Sequence, residues 1–528
     1  MNKKTRILLI TGRDSLNDLK QLDWRDLRVF YDITIIQAPI PIISLISPKR
    51  LTNTLSEFES NDFDLVITSG LIPWDLSEID SPFSSKIKKG PRFLVNLPEI
   101  LKNFDPFSFS PIIPADEIYK LSKQENLNLL IEKNRQEFNK QSNPNGFRLV
   151  NKSNDIIFSP NLPPVLIGEI VDAPKLSFED LSLKVEKYLK RGVNIIDLGC
   201  IANENHGDEI FEMITQLKMI YQIPFSIDSI DPDEIHSAVS AGAQMVLSIT
   251  VDNYSELLDL NKETALVIIP YSKKDENPLS SQKRIERLID LWKLLVKNGF
   301  TKILLDPITG VPISPGFTSS IETISYLKQS IDQIDLYKPQ LFMGFGNVTE
   351  LIDGDSSGIN TLLSLIAVEL GVSAILSTEY SNKCRNNLKE LNESIKLAYY
   401  ANQMHVPPLN LGISAFQFKS KQDYPKYVSF GESIKQIDFM DQHAIMDPKG
   451  YFKIYIDEKK NCIMITHFNN SVNFKDVTQT FAGDNAESLY KNIIKSGLVS
   501  RLDHAAYLGK ELVKAELALK LGMPYSQS

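Results

Sequence analysis

Val165-Leu-Ile-Gly-Glu-Ile-Val-Asp172, Ile195-Ile-Asp-Leu-Gly199 and Ser226-Ile-Asp-Ser229 are short apolar runs, each carrying a carboxylate near its end. Runs that are apolar on both faces and lead into helix-length polar–apolar segments predict parallel strands covered by helices. The pattern repeats from Pro163 to His405, with strands expected at Val165–Val171, Val193–Leu198, Phe225–Asp228, Gln244–Ile249, Leu266–Ile269, Ile303–Asp306, Leu341–Phe345 and Ala374–Ser377. Eight strands in about 240 residues is the size of a (β/α)8 TIM barrel. An open, doubly wound eight-stranded sheet is the competing arrangement.

Working outward, the chain falls into three parts. Upstream, Arg6–Thr11 ends at Gly12 and Asp64–Ser69 ends at Gly70, with a further strand expected over Gly90–Val95. Residues 1–150 therefore read as a Rossmann-like α/β domain, and Gln141-Ser-Asn-Pro-Asn-Gly146 as a linker to a barrel over 160–410. Downstream, Tyr451–Ile456 and Cys462–His467 alternate like antiparallel strands around Asp457–Lys460. Two helices follow, the second over Leu502–Leu521, so residues 413–528 read as a small α+β domain.

Composition narrows the function class. The 528 residues are 42% apolar and 23% charged, ordinary globular usage that excludes long disorder. The net charge is −9 and no basic block stands out, so nucleic acid is not an expected partner. Cys200, Cys384 and Cys462 are scattered, which supports neither a disulfide framework nor a structural zinc site. Ile7–Ile10 is too short for a signal-peptide core, and Ile35–Ile46, interrupted by Pro39 and Pro41, is too short for a membrane span. A cytoplasmic enzyme without a membrane partner is expected.

In a barrel of this kind the chemistry sits at the carboxyl ends of the strands. Those ends read Glu169 and Asp172, Asp197, Asp228, Ser248, Asp306, Gly346-Asn347 and Glu379. Any single one could simply cap the next helix. Five or six carboxylates on one mouth repel one another, and call for a cationic or donor-rich ligand. No two histidines are spaced as metal ligands, which leaves a heterocycle with several N–H donors as the other candidate. His206 and His236 are expected at the surface, and His504 in a packing role.

The ordered set Val165–Asp172, Ile195–Gly199, Ser226-Ile-Asp-Ser-Ile-Asp-Pro-Asp233, Ala241-Gly-Ala243, Leu304-Leu-Asp-Pro307 and Gly344-Phe-Gly-Asn-Val348 resembles the pterin-binding barrels. These comprise the dihydropteroate synthases and the methyltetrahydrofolate:corrinoid methyltransferases. With the leading α/β domain and a tail carrying Asp447-Pro-Lys-Gly-Tyr-Phe452 and Ser500-Arg-Leu-Asp-His504, the whole chain resembles the archaeal dihydropteroate synthase-related proteins, a family linked to tetrahydromethanopterin synthesis.

The resemblance implies that Asp228 and Asp306 recognise the pterin and act in catalysis. It also implies that Asn347 contacts the ring, and that Glu169, Asp172, Asp197 and Ser248 complete the pocket. A pterin presents an N–H and an amino group side by side, which a carboxylate accepts as a pair. The chain departs from the synthases elsewhere. Gly346-Asn347-Val348 replaces their Lys after strand seven, Ser377-Thr-Glu379 replaces their Arg-x-His, Leu247 takes the place of the strand-four Asn, and Val171 that of the metal-binding Asn. A substitute anion or metal loop is expected at Asp353, Asp355 and Ser356, with Arg385 and Lys383 the nearest cations in sequence.

The implied activity is transfer of an activated dihydropterin to an arylamine, with Mg²⁺ neutralising the departing diphosphate. Methyl transfer from a methyl-pterin to a corrinoid, or noncatalytic pterin binding, are the alternatives. Homodimerisation is left open.

Overall fold

The computed structural model describes the chain apart from residues 1–3, 93, 143, 151–154, 277, 335–336, 410, 416–445, 470–476, 524 and 528, and apart from the side chains of 95 and 382. The chain divides into two compact units, the first built on Met1–Leu130 and the second on Ile131–Leu409 together with the C-terminal residues.

The first unit carries a four-stranded parallel sheet, Tyr31–Gln37, Thr5–Thr11, Leu65–Thr68 and Ile87–Lys89 in spatial order. Alternation along the strands builds a core on each face. Ile7, Leu9, Leu65 and Ile67 pack against Leu19, Leu97 and Ile100. Leu8, Ile10, Val66 and Ile87 pack against Leu51, Leu55 and Leu76. The strand expected over Gly90–Val95 lies earlier, at Ile87–Lys89. Pro91 has no N–H to give a ladder, and Leu94–Asn96 coils into a 3₁₀ turn.

The second unit holds the barrel. Its strands are β1 (Val165–Ile170), β2 (Ile195–Gly199), β3 (Phe225–Asp228), β4 (Met245–Ile249), β5 (Ala265–Ile268), β6 (Ile303–Leu305), β7 (Gln340–Gly344) and β8 (Val372–Thr378). All eight lie where the apolar runs place them. They are parallel and close on themselves, β8 pairing with β1 through Ala374↔Val165 to Thr378↔Glu169. Closure excludes the open sheet.

Strand parity decides what faces inward. Val165, Ile167, Ile195, Met245, Leu247, Ala265, Val267, Leu304, Phe342 and Ala374 fill the interior. Residues of the other parity, such as Leu166, Ile196, Leu198, Ile227 and Val246, pack outward under the helices.

The barrel floor is closed by a hairpin absent from the sequence reading. Phe147–Leu149 and Ile156–Phe158 pair antiparallel. Phe147, Leu149 and Phe158 then pack against the first inward residues of β1, β2, β4 and β5. The Phe147 and Phe158 rings stack at 4.8 Å.

The C-terminal domain contains the expected hairpin, Tyr451–Asp457 with Cys462–Phe468. A third, edge strand, Val477–Gly483, and the helices Ala486–Lys495 and Leu502–Leu521 complete it. Residues 416–445, inside the span assigned to this domain, lie outside the described residues.

Candidate functional site

The parity that fills the barrel carries four carboxylates into its last inward layer. Glu169 follows Ile167, Asp197 follows Ile195, Asp228 follows Ser226 on the inward face of β3, and Asp306 follows Leu304. Register places Glu169 beside Asp197, and Asp197 beside Ser226. One oxygen each of Glu169, Asp197 and Asp228 lies within 4.8 Å of the others. Among the described residues none of the four acids is ion-paired.

Hydroxyls hold two of them in place. Ser226 Oγ donates to Asp197 Oδ1 at 2.5 Å, and Ser248 Oγ donates to Asp228 Oδ1 at 2.5 Å. Ser248 stands at φ 67°, a left-handed bend at the point where the β4–β5 register shifts. Asp197 is fully buried, and its Oδ2 has no hydrogen-bond partner. Gly199 makes room for Glu169, since a Cβ there would stand 2.9 Å from its Oε1.

Asp306 caps its own loop, accepting from the Ile308 N–H at 2.8 Å, and does not cap the next helix, Phe317–Asp332. Arg284 grips that loop from outside through the Pro307 and Ile308 carbonyls at 3.3 and 3.5 Å. Asn347 bridges the neighbouring loops, donating to the Thr309 carbonyl at 3.1 Å.

Crowding and burial favour the neutral acids. Burial, with Asp228, Asp172 and Glu350 adding repulsion, pushes Glu169 up to about 8. Burial, opposed by the Ile308 N–H and helped by Asp228, pushes Asp306 up to about 7. Asp197 is raised by burial and by Asp228 and Glu169, and Asp228 is raised by burial against the Ser248 hydroxyl. The mouth is thus a half-buried cluster of crowded acids, suited to a ligand that brings N–H donors or positive charge.

Other strand-end acids are ion-paired. Asp172, at φ 52°, pairs with Lys175 at 2.8 Å near solvent. Glu379 is buried against Arg191, with Lys187 at 3.9 Å. Among the described residues, four of the strand-end acids at the mouth are therefore left without an ion pair.

The loop Asp353–Ser356 does not gather the cations near it in sequence. Ser356 Oγ donates to Glu390 at 2.6 Å, Lys383 donates to the Thr349 and Ile352 carbonyls, and Arg385 pairs with Glu458 at 2.9 Å. His206 pairs with Glu204 at 2.8 Å, and His236 meets the Glu256 carbonyl at 3.1 Å, both on the surface side.

Sequence reasoning missed Ser226, Arg284, Thr309 and Glu350. Only Ser226 carried a signal, being two residues before Asp228 and of the same parity. His504, in the C-terminal domain, donates its Nδ1–H to the Asp447 carboxylate at 3.0 Å. Asp447 also accepts from the Ser500 and Arg501 N–H groups and so fastens the start of the last helix.

The family described as "Pterin binding enzyme" matches residues 172–375, and one described as "PterinBD-DUF4346" matches 446–528. The Ycf91-like protein of Nostoc sp. is 36% identical over 109 residues, covering 16% of this chain and 86% of that one. A Yersinia pestis DHPS with a pterine-sulfa conjugate aligns at TM-score 0.39 and 15% identity, covering 49% of this chain and all of that one. A dihydropteroate synthase from Xanthomonas albilineans with 7,8-dihydropteroate aligns at TM-score 0.36 and 16% identity, covering 49% and 99%. The uncharacterized protein MJ0107 of Methanocaldococcus jannaschii is 31% identical over 538 residues, covering 100% of this chain and 99% of that protein. The chain belongs to the family of MJ0107, and its central (β/α)8 barrel holds the residues matched by the "Pterin binding enzyme" family.

Proposed function

We propose that the protein is a transferase acting on a reduced pterin held at the barrel mouth. The observation that carries this reading is the inward row Glu169, Asp197, Asp228 and Asp306, four acceptors without a counter-ion among the described residues. Asp306 has one oxygen on the Ile308 N–H, leaving the other to accept from the pterin edge. Asp228, steadied by Ser248, accepts a second N–H, and Asn347 lies at the lip of the neighbouring loop. A carboxyl poised near neutrality exchanges a proton readily with a bound heterocycle, and its charged form stabilises positive character developing on the exocyclic carbon.

The transfer proposed first is to an arylamine, forming the carbon–nitrogen bond of a methanopterin-type cofactor. A specific observation favours a second acceptor, a corrinoid receiving a methyl group. Lys383 and Arg385, the cations nearest the Asp353–Ser356 loop in sequence, already serve carbonyls and Glu458, so that loop shows no assembled diphosphate site. Incubation with dihydropterin diphosphate and arylamines, and separately with methyl-pterin and cob(I)alamin, decides between them. Product in the first arm supports the synthase reading, and methyl-cobalamin alone replaces it. Calorimetry that detects no reduced pterin bound with or without Mg²⁺ removes both.

A further inference from the structure

We infer that Glu169, Asp197 and Asp228 form a site for a hard divalent cation, on the β1–β3 side of the mouth. This goes beyond the proposed pterin binding, with which it shares Asp228, while Asp306 and Asn347 stand on the other side. Three carboxylate oxygens lie within 4.8 Å of one another, a span that ligands around one cation can occupy.

The independent observation is Asp197. It is fully buried, Ser226 holds its Oδ1, and its Oδ2 has no partner. A buried carboxylate oxygen left without a donor is costly unless something binds it. The surroundings are those of a supported ligand set. Ser226 and Ser248 each fix one oxygen of an aspartate and leave the other for the centre, the outer-shell role that orients metal ligands. Gly199, lacking a Cβ, lets the Glu169 carboxylate close over β2.

An all-oxygen set with no imidazole or thiolate selects Mg²⁺, Mn²⁺ or Ca²⁺ rather than zinc or copper. The remaining positions fall to water or a ligand at the open mouth. Asp228 is then shared between the cation and the proposed pterin.

Manganese tests this directly, without pterin and without turnover. Full-length protein stripped with chelator is titrated with MnCl₂ at pH 7.5, free Mn²⁺ being read by electron paramagnetic resonance, with Mg²⁺ as competitor. One site per chain is expected, displaced by Mg²⁺, with a higher melting temperature in the loaded protein. Asp197→Asn and Glu169→Gln should weaken binding roughly tenfold or more, and Ser226→Ala roughly tenfold. Both acid variants remove repulsion, so their unloaded forms should melt no lower than the parent. No stoichiometric Mn²⁺ binding up to millimolar concentration overturns the inference, as does equal binding by parent and variants, which means adventitious surface carboxylates only. Because pterin is absent throughout, failure here leaves the pterin reading untouched.

Discussion

Replacing Asp306 by Asn should weaken pterin binding and strengthen the fold at the same time. The Ile308 N–H bond at 2.8 Å needs only an oxygen, which Asn supplies, so the loop gripped by Arg284 keeps its shape. The second oxygen becomes an NH₂ facing the ligand's own donor. Loss of one charge-assisted bond costs about 1.5–3 kcal/mol, which corresponds to roughly ten- to a few hundred-fold in dissociation constant.

Stability moves the other way. The carboxyl is raised to about 7 in the folded state, so its stabilising contribution is complete below the unfolded value near 3.8 and is lost as pH rises through about 7. The full shift converts to at most about 4 kcal/mol. Solvent at the half-buried mouth reduces that to about 1–2 kcal/mol. Asp306→Asn should therefore melt higher than the parent at pH 8 and equally at pH 4, while titration calorimetry with a reduced pterin at pH 7.5 shows the weakened binding. Equal affinities, or a variant less stable at pH 8, would refute the assignment of Asp306 to the ligand.

Phe158→Ala opens the barrel floor. Phe158 is fully buried and stacked on Phe147, so a loss of about 3–5 kcal/mol is expected in chemical denaturation. His467, 2% exposed and packed on the Phe452 ring, is held below its ordinary pKa by burial. The unfolded chain takes up that proton first, so stability should fall as pH drops below about 6.5, and His467→Phe should flatten this slope in melting curves from pH 8 to 5. Gly199→Ala puts a methyl 2.9 Å from Glu169 Oε1, and should displace that carboxylate and weaken mouth ligands in calorimetry while the secondary structure read by circular dichroism is unchanged.

Much of the barrel was legible because its strands are buried on both faces, which writes them as continuous apolar runs such as Ile195–Gly199. Edge strands write no such run. Tyr31-Asp-Ile-Thr-Ile-Ile-Gln37 is half exposed and Val477–Gly483 largely exposed, so neither stood out. In the site, parity was readable, since Asp197 and Asp306 stand two residues past inward apolar side chains. The fate of charges was not. Whether Glu379 faces the mouth or Arg191, and whether Arg385 meets the Asp353 loop or Glu458, depends on partners far along the chain. The floor hairpin was hidden for a similar reason: Phe147–Leu149 and Ile156–Phe158 are too short to signal except through the barrel they close.

The pairing of Arg385 with Glu458 makes the C-terminal domain and the loop after β8 share one guanidinium. Around it, Asn386 donates to the Lys520 carbonyl at 3.4 Å, and Gly522 packs so closely that a Cβ would stand 2.9 Å from Arg385. An anion that takes over the Arg385 Nη1 donor displaces Glu458, which is 69% exposed and returns to water easily. Opening that clasp costs no more than about 1 kcal/mol, a handicap of about fivefold in affinity. By linkage the handicap is mutual: occupancy by such an anion loosens the tail by the same factor, and a chain lacking Glu458 holds the anion more tightly by that factor.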